Sequence, residues 1–226
     1  MSITLSKMIW SKRILERRKP AAFRRLVALF AAIALWIGSA PGATALEEET
    51  ALSLVERTST EIIQLANSGA GIAQQREEFV RLLNTRADAD RIARLTMGRE
   101  WRAMSQSQRQ GYRDAIIPYI AARFVKNFGD FRRGTLEVRS AQLVTVGGEK
   151  RVLVQSVGKR RPAASGIEIE WTITERGGQP LILDVGVANL SLVVTQRKEI
   201  GTILNSVRGD YDQLISKLVE ATERSS

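Results

Sequence analysis

The chain reads as an α+β domain: N-terminal helices packed on a curved, mainly antiparallel sheet of four to five strands, with two further helices closing it. Three observations predict this. Apolar residues recur at helical spacing from Thr50 to Phe128. Between Thr135 and Val187 they alternate with polar residues around Gly-Gly turns at 147–148 and 177–178. Helical spacing returns after Thr195. Helices, then a meander, then helices place all the helices on one face of the sheet.

A segment of another kind precedes this domain. Met1–Arg25 holds eight Lys/Arg, an uncharged run from Leu26 to Leu46 follows, and Ala43-Thr44-Ala45 offers two small residues at signal-peptidase spacing. Basic region, apolar region and small-residue site together predict a signal peptide, residues 1–45, cleaved after Ala45. The competing expectation is an uncleaved inner-membrane anchor, since 21 uncharged residues approach the length of a bilayer span. Residues 46–226 are then a single domain. Residues 1–45 hold eight of the 34 Lys/Arg and one of the 24 Asp/Glu, so residues 46–226 keep 26 against 23, a net of only +3. The high positive charge of the whole chain therefore belongs to the leader, and no nucleic-acid partner is expected.

The elements follow in order. Leu52, Val55, Ile62, Ile63 and Ala66 mark a first helix that Gly69 and Gly71 end. A second helix from about Gln74 buries Phe79, Leu82 and Leu83. Asp88 can cap a short third helix stopped by Gly98. Ser105 and Gln108 form a capping box that opens a long helix carrying Tyr112, Ile116, Ile117, Ile120, Phe124 and Phe128; Pro118 should kink it. Strands are expected over Thr135–Val146, Arg151–Val157, Ile167–Thr174 and Leu181–Val187. The third is the cleanest, with Ile167, Ile169, Trp171 and Ile173 on one face and Glu168, Glu170, Thr172 and Thr174 on the other. In the fourth, Leu183, Val185 and Val187 should share a face opposite Asp184. Leu190–Val194 is apolar again, and helices are expected at about Thr195–Val207 and Asp210–Ala221.

Little chemistry is available to such a chain. It has no cysteine and no histidine, which removes disulfides, His/Cys zinc sites and the Ser-His-Asp and Cys-His triads. No P-loop, glycine-rich dinucleotide turn or aspartate-rich calcium loop is present. No cofactor and no metal are expected, and the chain is not expected to be an enzyme. Asp184 is the one carboxylate set amid apolar residues. It could serve a small exported enzyme together with an arginine, but a bond to backbone amides at a strand edge is the commoner use of such a residue. The apolar set Ile169, Trp171, Ile173, Val185 and Val187, with Phe124 and Phe128, has two readings. It is a filled core, or it lines a cavity for acyl chains between sheet and helices. Periodicity does not tell a filled core from a hollow one. Lys159-Arg160-Arg161 is a basic loop that meets solvent, lipid phosphate or an acidic partner, and Arg91, Arg94, Arg99 and Arg102 around Leu95 and Trp101 are equally open.

Several local strings, in this order, resemble the MlaC-like (toluene-tolerance) family. They are Asp90–Gly98 with Trp101-Arg102, Ser105 with Gln108-Arg109 and the aromatic helix to Phe128, Leu183-Asp184-Val185 through Leu190-Ser191-Leu192-Val193, and the closing helices around Gly209 and Leu214-Ile215. The chain departs from the family at Pro180, where a tryptophan is usual, at Ala188 and Asn189, where Glu-Gly is usual, and at Phe124, where tyrosine is frequent. The resemblance implies a periplasmic carrier that holds a phospholipid by its acyl chains. Such a carrier exchanges lipid with an inner-membrane ABC transporter bearing an MCE-type subunit and with an outer-membrane lipoprotein complex, which bears on outer-membrane lipid asymmetry. A related branch is associated with hopanoids. On this reading Val138, Val154, Leu190 and Leu192 join the seven residues above as the lipid-contacting set, with Asp184 and Ser191 structural.

Overall fold

The computed structural model describes residues 46–126, 132, 134–159 and 166–224. The expected leader, Phe128, Arg160 and Arg161 lie outside them. Four helices come first: α1 (Glu48–Asn67), α2 (Ile72–Arg86), α3 (Ala89–Met97) and α4 (Gln106–Val125), with a 3₁₀ turn at Gly98–Arg102 between the last two. Local chemistry sets their limits. Glu48 and Glu49 place negative charge at the positive end of α1. The Asp88 carboxylate accepts the Arg91 amide to start α3. Ser105 and Gln108 make the reciprocal capping box at α4. Gly98 ends α3 at φ +67, and a Cβ there would stand 3.0 Å from Nε of Arg197, whose guanidinium donates to the Leu95 carbonyl. α4 runs unbroken through Pro118.

Five antiparallel strands follow as a meander in the order β1-β2-β3-β4-β5: β1 (Thr135–Val146), β2 (Glu149–Lys159), β3 (Ile167–Arg176), β4 (Gln179–Val187) and the two-residue β5 (Leu190–Ser191). Helices α5 (Leu192–Ser206) and α6 (Tyr211–Glu223) close the chain. The α+β class and the antiparallel order agree with the expectation from sequence.

Two boundaries differ. α5 begins three residues earlier than expected, because Ser191 accepts the Val194 amide and Asp184 accepts the Val193 amide. The apolar run from Leu192 is thereby drawn into a helix instead of a strand. In β4 the register shifts opposite Thr172 and Ile173: Asp184 pairs with Thr172, and Ile182 pairs with Ile173. Leu183 is the extra residue of this bulge. Ile182, not Leu183, therefore shares the inner face with Val185 and Val187.

The inner face of the sheet and the helices build one principal core around Tyr112, Ile116, Val152, Val154, Trp171, Ile173 and Leu214. A smaller core joins the helices alone, through Ala66, Phe79, Ala121 and Val125. The β1 edge meets α1, where the Glu48 carboxylate accepts the Leu143 amide at 2.8 Å.

Candidate functional site

The two ends of the sheet are built differently. At one end lie the β1–β2 and β3–β4 turns. There Ala87 bridges to Ile182 in parallel, and the Asp88 amide donates to the Ile182 carbonyl at 2.9 Å, tying the start of α3 to β4. Ion pairs reinforce the junction. Arg176 reaches Asp90 at 2.7 Å and Asp88 at 3.2 Å, Arg113 reaches Asp90 at 2.9 Å, and Arg91 pairs with Glu149 while donating to the Thr174 hydroxyl at 3.2 Å. Hydrogen bonds from Arg113 and Arg176 hold the Asp90 carboxyl below its ordinary range.

At the opposite end, β1 and β3 begin and β2 and β4 finish. Residues directly opposite one another on the inner face form successive rows. Nearest the turns are Leu143, Val152, Ile173 and Ile182; next come Ala141, Val154, Trp171 and Val185; then Val138, Ser156, Ile169 and Val187; last are Leu136, Gly158 and Ile167. Along β3 the exposure rises steadily toward this end: Ile173 0%, Trp171 5%, Ile169 9%, Ile167 51%. Val138, Val187 and Leu136 are half-buried, and Leu190, paired with Val187, is 68% exposed. Among the described residues the apolar face therefore extends beyond its helical cover. Scattered exposed apolar residues are ordinary, but a continuous apolar face that outruns its cover is not.

A polar chain crosses this face. Trp171 Nε1–H donates to Ser156 Oγ at 2.9 Å, and the Ser156 hydroxyl donates to the Ile169 carbonyl at 3.2 Å. Both side chains are buried and satisfied. Because Ser156 lies opposite Ile169, and Trp171 opposite Val154, the bond runs diagonally and lays the indole over the sheet toward the open rows.

The other expected residues separate into groups. Phe124 stacks on Phe79, with centroids 4.7 Å apart and planes 5° apart, in the helix-only core, so it is not brought onto the sheet face with Ile169 and Trp171. Leu192 is exposed on the first turn of α5. Asp184 accepts the Val185 and Val193 amides at 2.8 and 3.0 Å and the Ser191 hydroxyl, which joins the end of β4 to the start of α5. Lys159 pairs with Glu137 at 2.9 Å, and Arg91 belongs to the ion-pair junction. The Tyr119 phenol donates to Glu199 at 2.7 Å and ties α4 to α5. Burial, then this bond, pushes its pKa up to about 12. Sequence reading passed over Ser156, the partner of the indole. Its signal is visible in retrospect: a serine on the valine-rich inner face of β2, diagonal to the strand's tryptophan.

Clefts among the described residues include two on other surfaces. One, of about 540 Å³, lies on the outer face, lined by Gln155, Glu168, Glu170, Thr172, Asp184 and Gly186 among others. The second, of about 450 Å³, separates α1 and α2 near Leu65 and Leu82. Between the inner face and the helices, where a cavity was expected, the rows nearest the turns are packed with side chains over β2 to β4. Among the described residues no group of three or more Asp or Glu could hold a metal ion, and no helix is long and apolar enough to cross a membrane.

Residues 56–220 match the model of the MlaC protein family. The chain belongs to the MlaC family. The match spans α1 to α6 and includes the whole sheet with its open rows. No curated protein sequence matches the chain. The fold is similar to that of a phospholipid-binding protein from Ralstonia solanacearum, whose structure is in complex with a phospholipid. The TM-score is 0.62 at 16% identity, over 77% of this chain and 98% of that one. At that identity the likeness is one of fold. Membership of the MlaC family gives the resemblance drawn from Asp90–Gly98 and Leu183–Val193 its confirmation.

Proposed function

We propose that this MlaC-family protein is a periplasmic phospholipid carrier that holds acyl chains against the inner face of its sheet at the open end. The observation that carries this is the run of apolar rows from Trp171 out to Ile167 and Leu136, which the helices leave progressively uncovered. A phospholipid bound by the Ralstonia protein of the same fold supports the choice of ligand. In this reading Val138, Ile169, Val185 and Val187 touch acyl chain, Leu190 and Leu192 stand at the rim, and the head group stays at the solvent. Val154 and Ile173 form the base beneath.

The energetics suit a carrier. Each methylene removed from water is worth about 0.8 kcal/mol, so even half of a diacyl lipid gives a large gross term, from which ordering of lipid and rim residues subtracts. Release then depends on an equally apolar destination. Handover between an outer-membrane lipoprotein complex and an inner-membrane transporter with an MCE subunit supplies one at each end. The proposal includes export by residues 1–45, with cleavage near Ala45. It excludes catalysis by Asp184, whose carboxylate is engaged by two amides and a hydroxyl in capping α5.

Lipid extraction and native mass spectrometry of protein purified from cells test the reading. One phospholipid per chain is expected, transferable to acceptor vesicles. A chain that copurifies with no lipid and exchanges none from vesicles is not a carrier.

A further inference from the structure

The open rows end at one residue. From the rim at Ile167 to Trp171 are four residue steps along β3, about 13 Å of strand at roughly 3.3 Å per residue. One leaflet of a bilayer offers about 15 Å of hydrocarbon, half of a core about 30 Å thick. The strand length from rim to indole is comparable to one leaflet, with Ile167 exposed at its outer end and Ile169 and Trp171 buried at its inner end. Beyond Trp171 the next row, Val152 and Ile173, is fully packed. The indole is the largest side chain on the inner face of β3, and it is not free to swing: its N–H is bonded to Ser156, whose own hydroxyl is bonded to the Ile169 carbonyl. Breaking that chain would leave a buried donor without a partner, which the fold resists.

We propose that the Trp171 indole, locked by Ser156, is the floor of the acyl-chain site and sets the longest chain the protein accepts. This rests on the carrier reading above. The terminal methyl of a bound chain meets the indole, while the carbonyl end lies near Ile167 and Leu190. Trp171 acts here as a specificity residue. Ser156 is a positioning residue that acts through it. Chains longer than the rim-to-indole distance leave methylenes in water and bind less well.

Fluorescence quenching tests the placement. In the full chain, Trp10, Trp36 and Trp101 are replaced by Phe, which leaves Trp171 as the single indole. The protein is loaded from phosphatidylcholine vesicles whose acyl chains carry bromine near the carbonyl, at mid-chain or near the methyl end. Quenching is expected to rise toward the methyl end. Equal quenching by all three lipids, or strongest quenching from the carbonyl end, overturns the floor while leaving the carrier intact. Recovery of no lipid with the protein overturns both. A second measurement reads specificity. Lipid extracted from Trp171→Ala should shift toward longer acyl chains, and Ser156→Ala should broaden the distribution in the same direction while retaining the ring. If Trp171→Ala does not fold, Trp171→Phe, which keeps most of the volume, should give a smaller shift of the same sign. An unchanged chain-length profile in the folded variants overturns the proposal.

Discussion

The two ends of the sheet share a strand set and an apolar inner face, yet helices bury β2 to β4 at one end and thin out at the other. At the turn end, Val152, Ile173 and Ile182 lie beneath the helices, and arginines from α3, α4 and β3 meet Asp88, Asp90 and Glu149 around the seam. At the far end the same face continues through Ile169 to Ile167 with diminishing cover. The difference teaches that cover is apportioned along the strands, not between separate layers. On the carrier reading, one half of the face holds the fold together and the other half receives lipid.

Substitutions along that axis sharpen or break the comparison. The largest effect is expected at Ile173→Ala, where lost burial and a cavity should cost about 2–5 kcal/mol in a urea titration. A cost no greater than that at the open rows would mean the ends are not energetically distinct. Asp88→Ala removes both the α3 cap and a partner of Arg176, and should cost about 1–2 kcal/mol. Ser191→Ala, its counterpart at the open end, removes the α5 cap and should cost about 0.5–1 kcal/mol by the same measurement. Ala188→Gly should act in the opposite direction. Ala188 and Asn189 turn β4 into β5 with φ of 49° and 64°, where a Cβ is strained, so glycine should raise stability by about 0.5–1 kcal/mol.

The ion-pair seam adds a pH dependence. The carboxyl of Asp90 titrates below its ordinary 3.8 in the folded chain, so its contribution is complete above that value and is lost as the pH falls through the lowered one. Asp90→Asn should lower the neutral part of a thermal-midpoint profile toward its acid limb, so that the midpoint falls less on acidification. Smallest of all, Ile167→Ala should change stability by less than about 0.5 kcal/mol while weakening lipid retention in a vesicle-transfer assay. A substantial loss of stability there would show that the open rows also belong to the core.

Most of the fold was legible because its signals are local. Asp88, Ser105 with Gln108, and the alternation from Ile167 to Thr174 each write their element within a few residues. The β4 bulge was not legible, since alternation through Leu183, Asp184 and Val185 looks regular until the partner strand fixes the register. The start of α5 was hidden by a β-branched run, Val193-Val194, whose helical state depends on caps from Ser191 and from Asp184 in the preceding strand. Phe124 shows the limit for the site. A helix with apolar residues on several sides does not say which neighbour each will meet, and this one meets Phe79 on α2 instead of the sheet. The ion pairs were invisible because Asp90 and Arg176 stand 86 residues apart. The apolar rows themselves were readable as a face, but not which rows the helices would leave uncovered.

The bond between Glu48 and the Leu143 amide has a consequence for crowding. β1 is an edge strand, and an edge amide left open is a template on which a second chain can add a strand. Leu143 and Val146 also leave apolar surface exposed there. By occupying the Leu143 donor with a carboxylate from its own first helix, the protein puts a negative charge where an invading strand would place its carbonyl. A molecule that, on the carrier reading, keeps one apolar end accessible thus guards a second place where copies could join into polymers.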